Sequence, residues 1–193
     1  MDLLNCKSAL KRLKSGLPVI FPTDTLPAIG CLPEFSKIIY EFKKRDKNKP
    51  LILMGSECNQ LINYVHESAK GDYQSMASKY WPGALTMVIP SSHQQNKIIT
   101  SNDFTLGLRV PNSCIAQSLI NETGPLLTSS ANISGFKGSV TAEGVALDFP
   151  SLGILGPLPW KQNSGKASTI LIWKKMGEWK LVRKGEVLVK ELQ

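Results

Sequence analysis

The stretch Thr128-Ser129-Ser130-Ala131-Asn132-Ile133-Ser134-Gly135 carries hydroxyl and amide side chains too densely to build a core, and the basic run Lys43-Lys44-Arg45 precedes it in the chain. Short hydroxyl and amide groups hydrogen-bond an anion that a lysine and an arginine neutralise. The pairing suggests a site for a triphosphate or a similar ligand. A Ser-x-Asn before a Gly also suits a plain turn or cap, so the cluster alone leaves both readings open.

The elements that would position these groups follow from hydrophobic pattern. The run Gly124-Pro125-Leu126-Leu127 predicts a short buried strand, which puts Ser130 and Asn132 where a strand's carboxyl end opens into a loop, as ligand sites of open α/β sheets do. Leu3, Leu4, Leu10 and Leu13 recur at near-helical spacing, with Lys7, Lys11 and Lys14 on other faces and Ser15-Gly16 as a stop. Residues 18–21 read as a buried strand. Helical patterns over 35–43, 69–80, 113–120 and 142–148 alternate with strand-like 51–53, 85–89, 106–110 and 169–173. This alternation predicts an α/β layered architecture. Residues 91–102 and 153–165 read as loops, each either an inert connection or a flap over a site.

A chain of 193 residues with 42% hydrophobic content is expected to form one domain over 1–193. The net charge of +8, concentrated over 37–49 and 161–190, favours an anionic partner such as nucleotide or RNA, although a solvated surface explains the same count. Cys6, Cys31, Cys58 and Cys114 are scattered without a C-x-x-C, which argues for reduced thiols and against a zinc site; His66 and His93 make no pair with them for hydrolysis. Neither a signal peptide nor a membrane-length apolar run is present, so the expected location is cytoplasmic, with no membrane partner. Asn121-Glu122-Thr123 and Asn132-Ile133-Ser134 are then chance sequons. Asn163-Ser164-Gly165-Lys166-Ala167-Ser168 is no P-loop, because Trp160 stands where its first Gly belongs and Ala167 replaces the magnesium-binding hydroxyl. A G-x-G-x-x-G after the first strand is also missing.

Several blocks in one order carry a family resemblance: Phe21-Pro22-Thr23-Asp24-Thr25, Lys43-x-Arg45 with Lys49-Pro50-Leu51, Trp81-Pro82-Gly83-x-Leu85-Thr86, Leu108-Arg109-Val110-Pro111, Ser130-Ala131-Asn132-x-Ser134-Gly135, Ala167-Ser168-Thr169-Ile170 and Arg183-x-Gly185. In this the chain resembles YrdC-like proteins. The resemblance implies a twisted sheet with flanking helices and a concave, positively charged active-site surface. It implies L-threonylcarbamoyladenylate synthesis: L-threonine captures bicarbonate or carbon dioxide, and the resulting N-carboxylate attacks the α-phosphorus of ATP and expels pyrophosphate. The product would serve modification of adenosine 37 in certain tRNAs, through transfer proteins that receive it.

By position, the resemblance assigns Lys43, Arg45, Ser130 and Asn132 to catalysis and, with Thr105, Ser139 and Arg183, to ATP; Gly138 is the alternative to Ser139. It assigns Thr23, Arg109, Thr128 and Ser168 to threonine. Mg²⁺ is expected with ATP, bridging phosphates without a dedicated carboxylate cage. A bidentate guanidinium at Arg109 suits the amino-acid carboxylate, and an ion pair within the protein would suit it equally. The chain departs from the family where Leu26-Pro27-Ala28-Ile29 replaces the usual Val-Tyr-Gly-Leu, where Met54 stands for a frequent His, where Asp46 follows Arg45 in place of Pro, and where Ala84 replaces a Pro. Two other readings are a non-catalytic module binding tRNA or double-stranded RNA, and a carbamoyl-adenylate domain of the hydrogenase-maturation kind. The latter normally sits in a much longer chain.

Overall fold

The computed structural model describes residues 1–91 and 104–189, so His93 and the loop expected over 91–102 lie outside the described residues, Ser91 apart. The strands are β1 (Asp2–Leu4), β2 (Val19–Phe21), β3 (Ala28–Cys31), β4 (Ile52–Met54), β5 (Leu85–Pro90), β6 (Thr105–Arg109), β7 (Leu126–Ser130), β8 (Gly153–Leu155), β9 (Thr169–Lys175) and β10 (Glu178–Arg183). They join in one mixed sheet, in the order β1-β8-β2-β3-β7-β4-β6-β5-β9-β10. The helices are α1 (Cys6–Lys14), α2 (Lys37–Lys43), α3 (Cys58–Leu61), α4 (Lys70–Tyr80), α5 (Cys114–Thr123) and α6 (Ala142–Asp148).

Side chains alternate between the faces of a strand, and the register lines up like parities across the sheet. Ile52 pairs with both Thr128 and Gly107, Met54 with Arg109, and Thr86 with Ile170. The opposite parity, with Leu53, Met87, Ile89, Leu108, Leu127 and Leu171, is buried against Ile39 of α2 and Tyr73, Met76 and Ala77 of α4. On the first face, α1 and α5 pack Ala9, Leu13, Ala116, Leu119 and Ile120 over Val19, Phe21, Ala28 and Leu126. That pair of helices covers only part of its face. The rest is lined by shorter and more polar side chains.

The expected helices and most expected strands lie within a few residues of their sequence positions. Leu3 and Leu4 differ, because they belong to β1 rather than to the helix. Asn5 Oδ1 accepts from Ser8 N at 2.9 Å and caps α1, while Leu3 and Leu4 pair in parallel with Ile154 and Leu155. Pairing with a distant segment overrides spacing that was only locally helical. That partner, β8, lies inside the stretch expected to be a loop. The strands β3 and β10 carry no clear alternation in the sequence; the first is buried at every position and the second is an exposed edge.

Gly30 of β3 leaves room for Phe21: a Cβ there would meet the ring at 2.7 Å. Gly30→Ala is expected to lower unfolding stability by about 1–3 kcal/mol through overpacking. A urea midpoint equal to wild type would show that the ring moves aside freely.

Candidate functional site

The uncovered part of the face is a cavity of about 380 Å³. Its floor comes from residues of one parity: Ile52 and Met54 of β4, Thr86 and Val88 of β5, Thr105, Gly107 and Arg109 of β6, Thr128 and Ser130 of β7, and Ile170 of β9. Arg45, Asn48 and Lys49 bound one side, and Ser168 and Arg183 another. A larger cavity of about 680 Å³, between β1, α1 and α5, is lined by Leu3, Leu4, Cys6, Ile115, Leu155 and Pro157 among others and, among the described residues, by no charged side chain. Convergent charge and hydrogen-bonding capacity single out the smaller one.

The geometry separates Lys43 from Arg45. Helix α2 ends on Lys44 in the left-handed conformation (φ 51°), with Arg45 N donating to Tyr40 O at 2.9 Å. This reversal sends Lys43 into the protein and Arg45 to the cavity wall. Lys43 is 1% exposed, and its ammonium donates to the carbonyls of Ser130 and Asn132 and, at 3.4 Å, to Asn132 Oδ1. Burial, and then the nearby Arg45, pulls the ammonium down from 10.5 to about 8. Ser134 N donates to the Lys43 carbonyl at 3.0 Å, so the end of α2 and the turn after β7 are tied in both directions. Arg45 donates to the carbonyls of Lys49 (3.1 Å) and Pro50 (3.0 Å), which holds its guanidinium over the cavity.

The turn is equally well ordered. Ser130 Oγ donates to Asn132 Oδ1 at 2.6 Å, and Asn132 Nδ2 donates to the carbonyls of Ile133 and Phe136. Ser130 lines the cavity; Asn132 does not, and its amide shapes the loop. Thr23 likewise turns inward: its hydroxyl donates to Leu26 O at 2.7 Å and accepts from Thr25 N at 3.1 Å. Ser139 accepts from Thr141 N at 3.3 Å at the entry to α6, away from the cavity lining. Thr105, Thr128, Ser168 and Arg183 all reach the cavity.

Arg109 is 3% exposed and lines the cavity, yet it is heavily engaged within the protein. Nη2 donates to Asp24 Oδ1 at 2.7 Å, Nη1 to Thr25 Oγ1 at 2.9 Å and Nε to Gly83 O at 3.1 Å. Asn112 N completes the coordination of Asp24 at 3.0 Å. Arg183 faces the cavity because the register shifts between Leu181 and Arg183, bringing it opposite Ile170; an extra residue on one strand re-aims the side chain. Its Nε and Nη2 donate to the carbonyl and hydroxyl of Ser168.

The guanidiniums also sense one another. Arg183 lies below its ordinary value through burial and then Arg45; Arg109 does so through burial, with Asp24 opposing the shift and Arg183 adding to it. Among the described residues, no aspartate or glutamate lines the cavity. A cavity ringed by mutually repelling cations is relieved by an anion. Thr86, Thr25, Asn48 and Gly107 also line this cavity, although nothing in their own sequence positions singled them out; Thr25 and Thr86 lie inside the motif blocks.

Among the described residues, no group of three or more His, Cys, Asp or Glu side chains could hold a metal ion, and no helix is long and apolar enough to cross a membrane. All four cysteines are free.

A family model described as Sua5_yciO_yrdC, telomere recombination, matches residues 11–185. The threonylcarbamoyl-AMP synthase of Buchnera aphidicola subsp. Baizongia pistaciae is 30% identical over 178 residues, covering 89% of this chain and 96% of that protein. P. abyssi Sua5, solved in complex with L-threonine, superposes with a TM-score of 0.88 at 27% identity; all of this chain is covered, but only 60% of that one. The chain thus spans about three fifths of Sua5. E. coli YciO, at 20% identity and a TM-score of 0.82, shares the fold over 100% of this chain and 98% of its own.

Lys43→Met is expected to destabilise the protein by about 2 kcal/mol, since it removes the charged donor that the Ser130 and Asn132 carbonyls share. Arg45→Ala should leave stability within about 1 kcal/mol while weakening pyrophosphate binding about tenfold. Thermal melts and calorimetric titration measure the pair. Equal melts for the two variants would contradict the division between anchor and wall.

Proposed function

The chain belongs to the Sua5/YciO/YrdC family, and from that premise we propose that it is a threonylcarbamoyl-AMP synthase working as a nucleotidyltransferase on L-threonine, bicarbonate and ATP. The observation that carries this reading is the convergence of Arg45, Lys49, Arg109 and Arg183 on one cavity that, among the described residues, no carboxylate lines. Its support from relatives is the synthase of which this chain covers nearly the whole length, and the fold shared with a protein solved with L-threonine. No specific observation favours the non-catalytic RNA-binding reading over this one.

The reaction joins anions, so alignment and charge neutralisation dominate its barrier. The threonine amine nitrogen bonds to the carbon of carbon dioxide and gives up a proton, or to that of bicarbonate with loss of water, to give an N-carboxylate. One carboxylate oxygen forms a bond to the α-phosphorus as the bond from that phosphorus to the bridging oxygen of the β-phosphate breaks, and pyrophosphate leaves with the electron pair. Arg45 and Arg183 stabilise the developing charge, Thr105 hydrogen-bonds the nucleotide, and Ser130, whose proton goes to Asn132 Oδ1, meets it only as an acceptor. Arg109, Thr128 and Ser168 hold threonine, Arg109 through the N–H groups that Asp24, Thr25 and Gly83 do not occupy. Lys43 and Asn132 act through the turn they hold, while Thr23 fixes the loop that carries Asp24 and Thr25.

Mg²⁺ enters as the counter-ion of ATP. With hydroxyls and guanidiniums but, among the described residues, no carboxylate in the lining, the donor set would suit a cation held by ATP rather than by the protein, and it would supply charge neutralisation there. Delivery of the product to a transfer protein, and from there to tRNA, completes the proposed role.

The test is incubation of purified protein with ATP, Mg²⁺, bicarbonate and single amino acids, reading pyrophosphate and the adenylate. Threonine-dependent release of both is expected, and Arg183→Ala should reduce it at least about tenfold. Pyrophosphate release indifferent to the amino acid would overturn the proposal.

A further inference from the structure

A count of hydroxyl protons distinguishes one pair in the cavity from Thr23, Thr25, Thr128 and Ser130. Thr23 donates its proton to Leu26 O, so the 3.1 Å contact between the Thr23 and Thr25 hydroxyls must be donated by Thr25. Thr128 donates to Ile52 O at 2.9 Å, and Ser130 donates to Asn132 Oδ1. These hydroxyls have no proton left for a ligand in this arrangement.

Thr86 and Ser168 differ. Their oxygens are 2.8 Å apart, and Ser168 Oγ accepts a further bond from Arg183 Nη2 at 3.1 Å. The two hydroxyls own two protons, and one of them makes the bond between them. Among the described residues, neither oxygen has an acceptor for the other. At 1% and 3% exposure, the two side chains have little access to water apart from the cavity they line. If Thr86 donates, both lone pairs of Ser168 are filled and the Ser168 O–H turns to the cavity. If Ser168 donates, the cavity receives the Thr86 O–H instead. The guanidinium on Ser168 Oγ strengthens the Ser168 O–H as a donor, so an acceptor oxygen placed in the cavity gains more from the first arrangement.

We propose that Thr86 is a positioning residue: its hydroxyl bond orients Ser168 so that one O–H donor faces the cavity, to be met by an acceptor oxygen of the amino-acid substrate. The inference rests on the threonine reading of the site. The acceptor is a carboxylate oxygen or the side-chain hydroxyl of threonine, and L-valine, which has the same shape with a methyl in place of that hydroxyl, separates the two.

Dissociation constants for L-threonine, L-valine and ATP, measured calorimetrically on wild type, Thr86→Val and Thr86→Ser, test the proposal. Thr86→Val keeps the shape of the side chain and is expected to weaken threonine binding about tenfold, leaving ATP binding and the melting temperature unchanged. Thr86→Ser should restore threonine binding. A parallel loss for valine assigns the donor to the carboxylate, and an unaffected valine constant assigns it to the threonine hydroxyl. Unchanged threonine binding in Thr86→Val, failure of Thr86→Ser to rescue, or an equal loss for ATP would overturn the positioning role. Wild-type protein that binds neither amino acid would overturn the underlying reading and the inference with it.

Discussion

The register of the central strands is the constraint on which everything else depends. Across β7, β4, β6, β5 and β9, one parity carries Leu127, Leu53, Leu108, Met87, Ile89 and Leu171 in the core shared with α2 and α4, and the other carries the cavity floor. A slip of one residue in a ladder would exchange the two sets on that strand, placing large apolar side chains in the cavity and threonines or an arginine among apolar neighbours. Burial of the core face therefore fixes the position of every polar group on the other. Thr128 and Arg109 need no separate device to face the same cavity, because Ile52 and Met54 of the strand between them pair with both neighbours.

Where the ladder does not suffice, local devices re-aim individual cations. The left-handed Lys44 divides a short basic run into a buried anchor and a cavity wall. The register shift before Arg183 turns an edge residue inward. Asp24 offsets the desolvation of Arg109, a pairing that a buried guanidinium requires, and Thr25 and Gly83 fix its plane. The site that results is preorganised: most of its polar groups are held by the protein before any ligand arrives, so little reorganisation accompanies binding of an anion.

The anchors also couple the site to the fold. Lys43 joins the end of α2 to the turn after β7, and Asp24 joins the loop between β2 and β3 to the end of β6. Both connect segments remote in sequence and both lie beside the cavity rather than in its lining.

The sequence by itself determined the order of most elements, the α/β class and the family, because alternating apolar runs and short blocks such as Leu108-Arg109-Val110-Pro111 are local in the chain. It also brought forward Arg45, Ser130, Thr128, Ser168, Arg109 and Arg183, all of which line the cavity. It did not separate Lys43 from Arg45, since nothing local marks Lys44 as left-handed where a Gly would. Nor did it show β1, β3, β8 or Thr86 as part of the site's support. Short strands gain their identity from partners far along the chain, and the role of a hydroxyl is set by which acceptors surround it. Both are products of tertiary packing: pairing and proton direction depend on distances between segments that the sequence does not order until the sheet has closed its register.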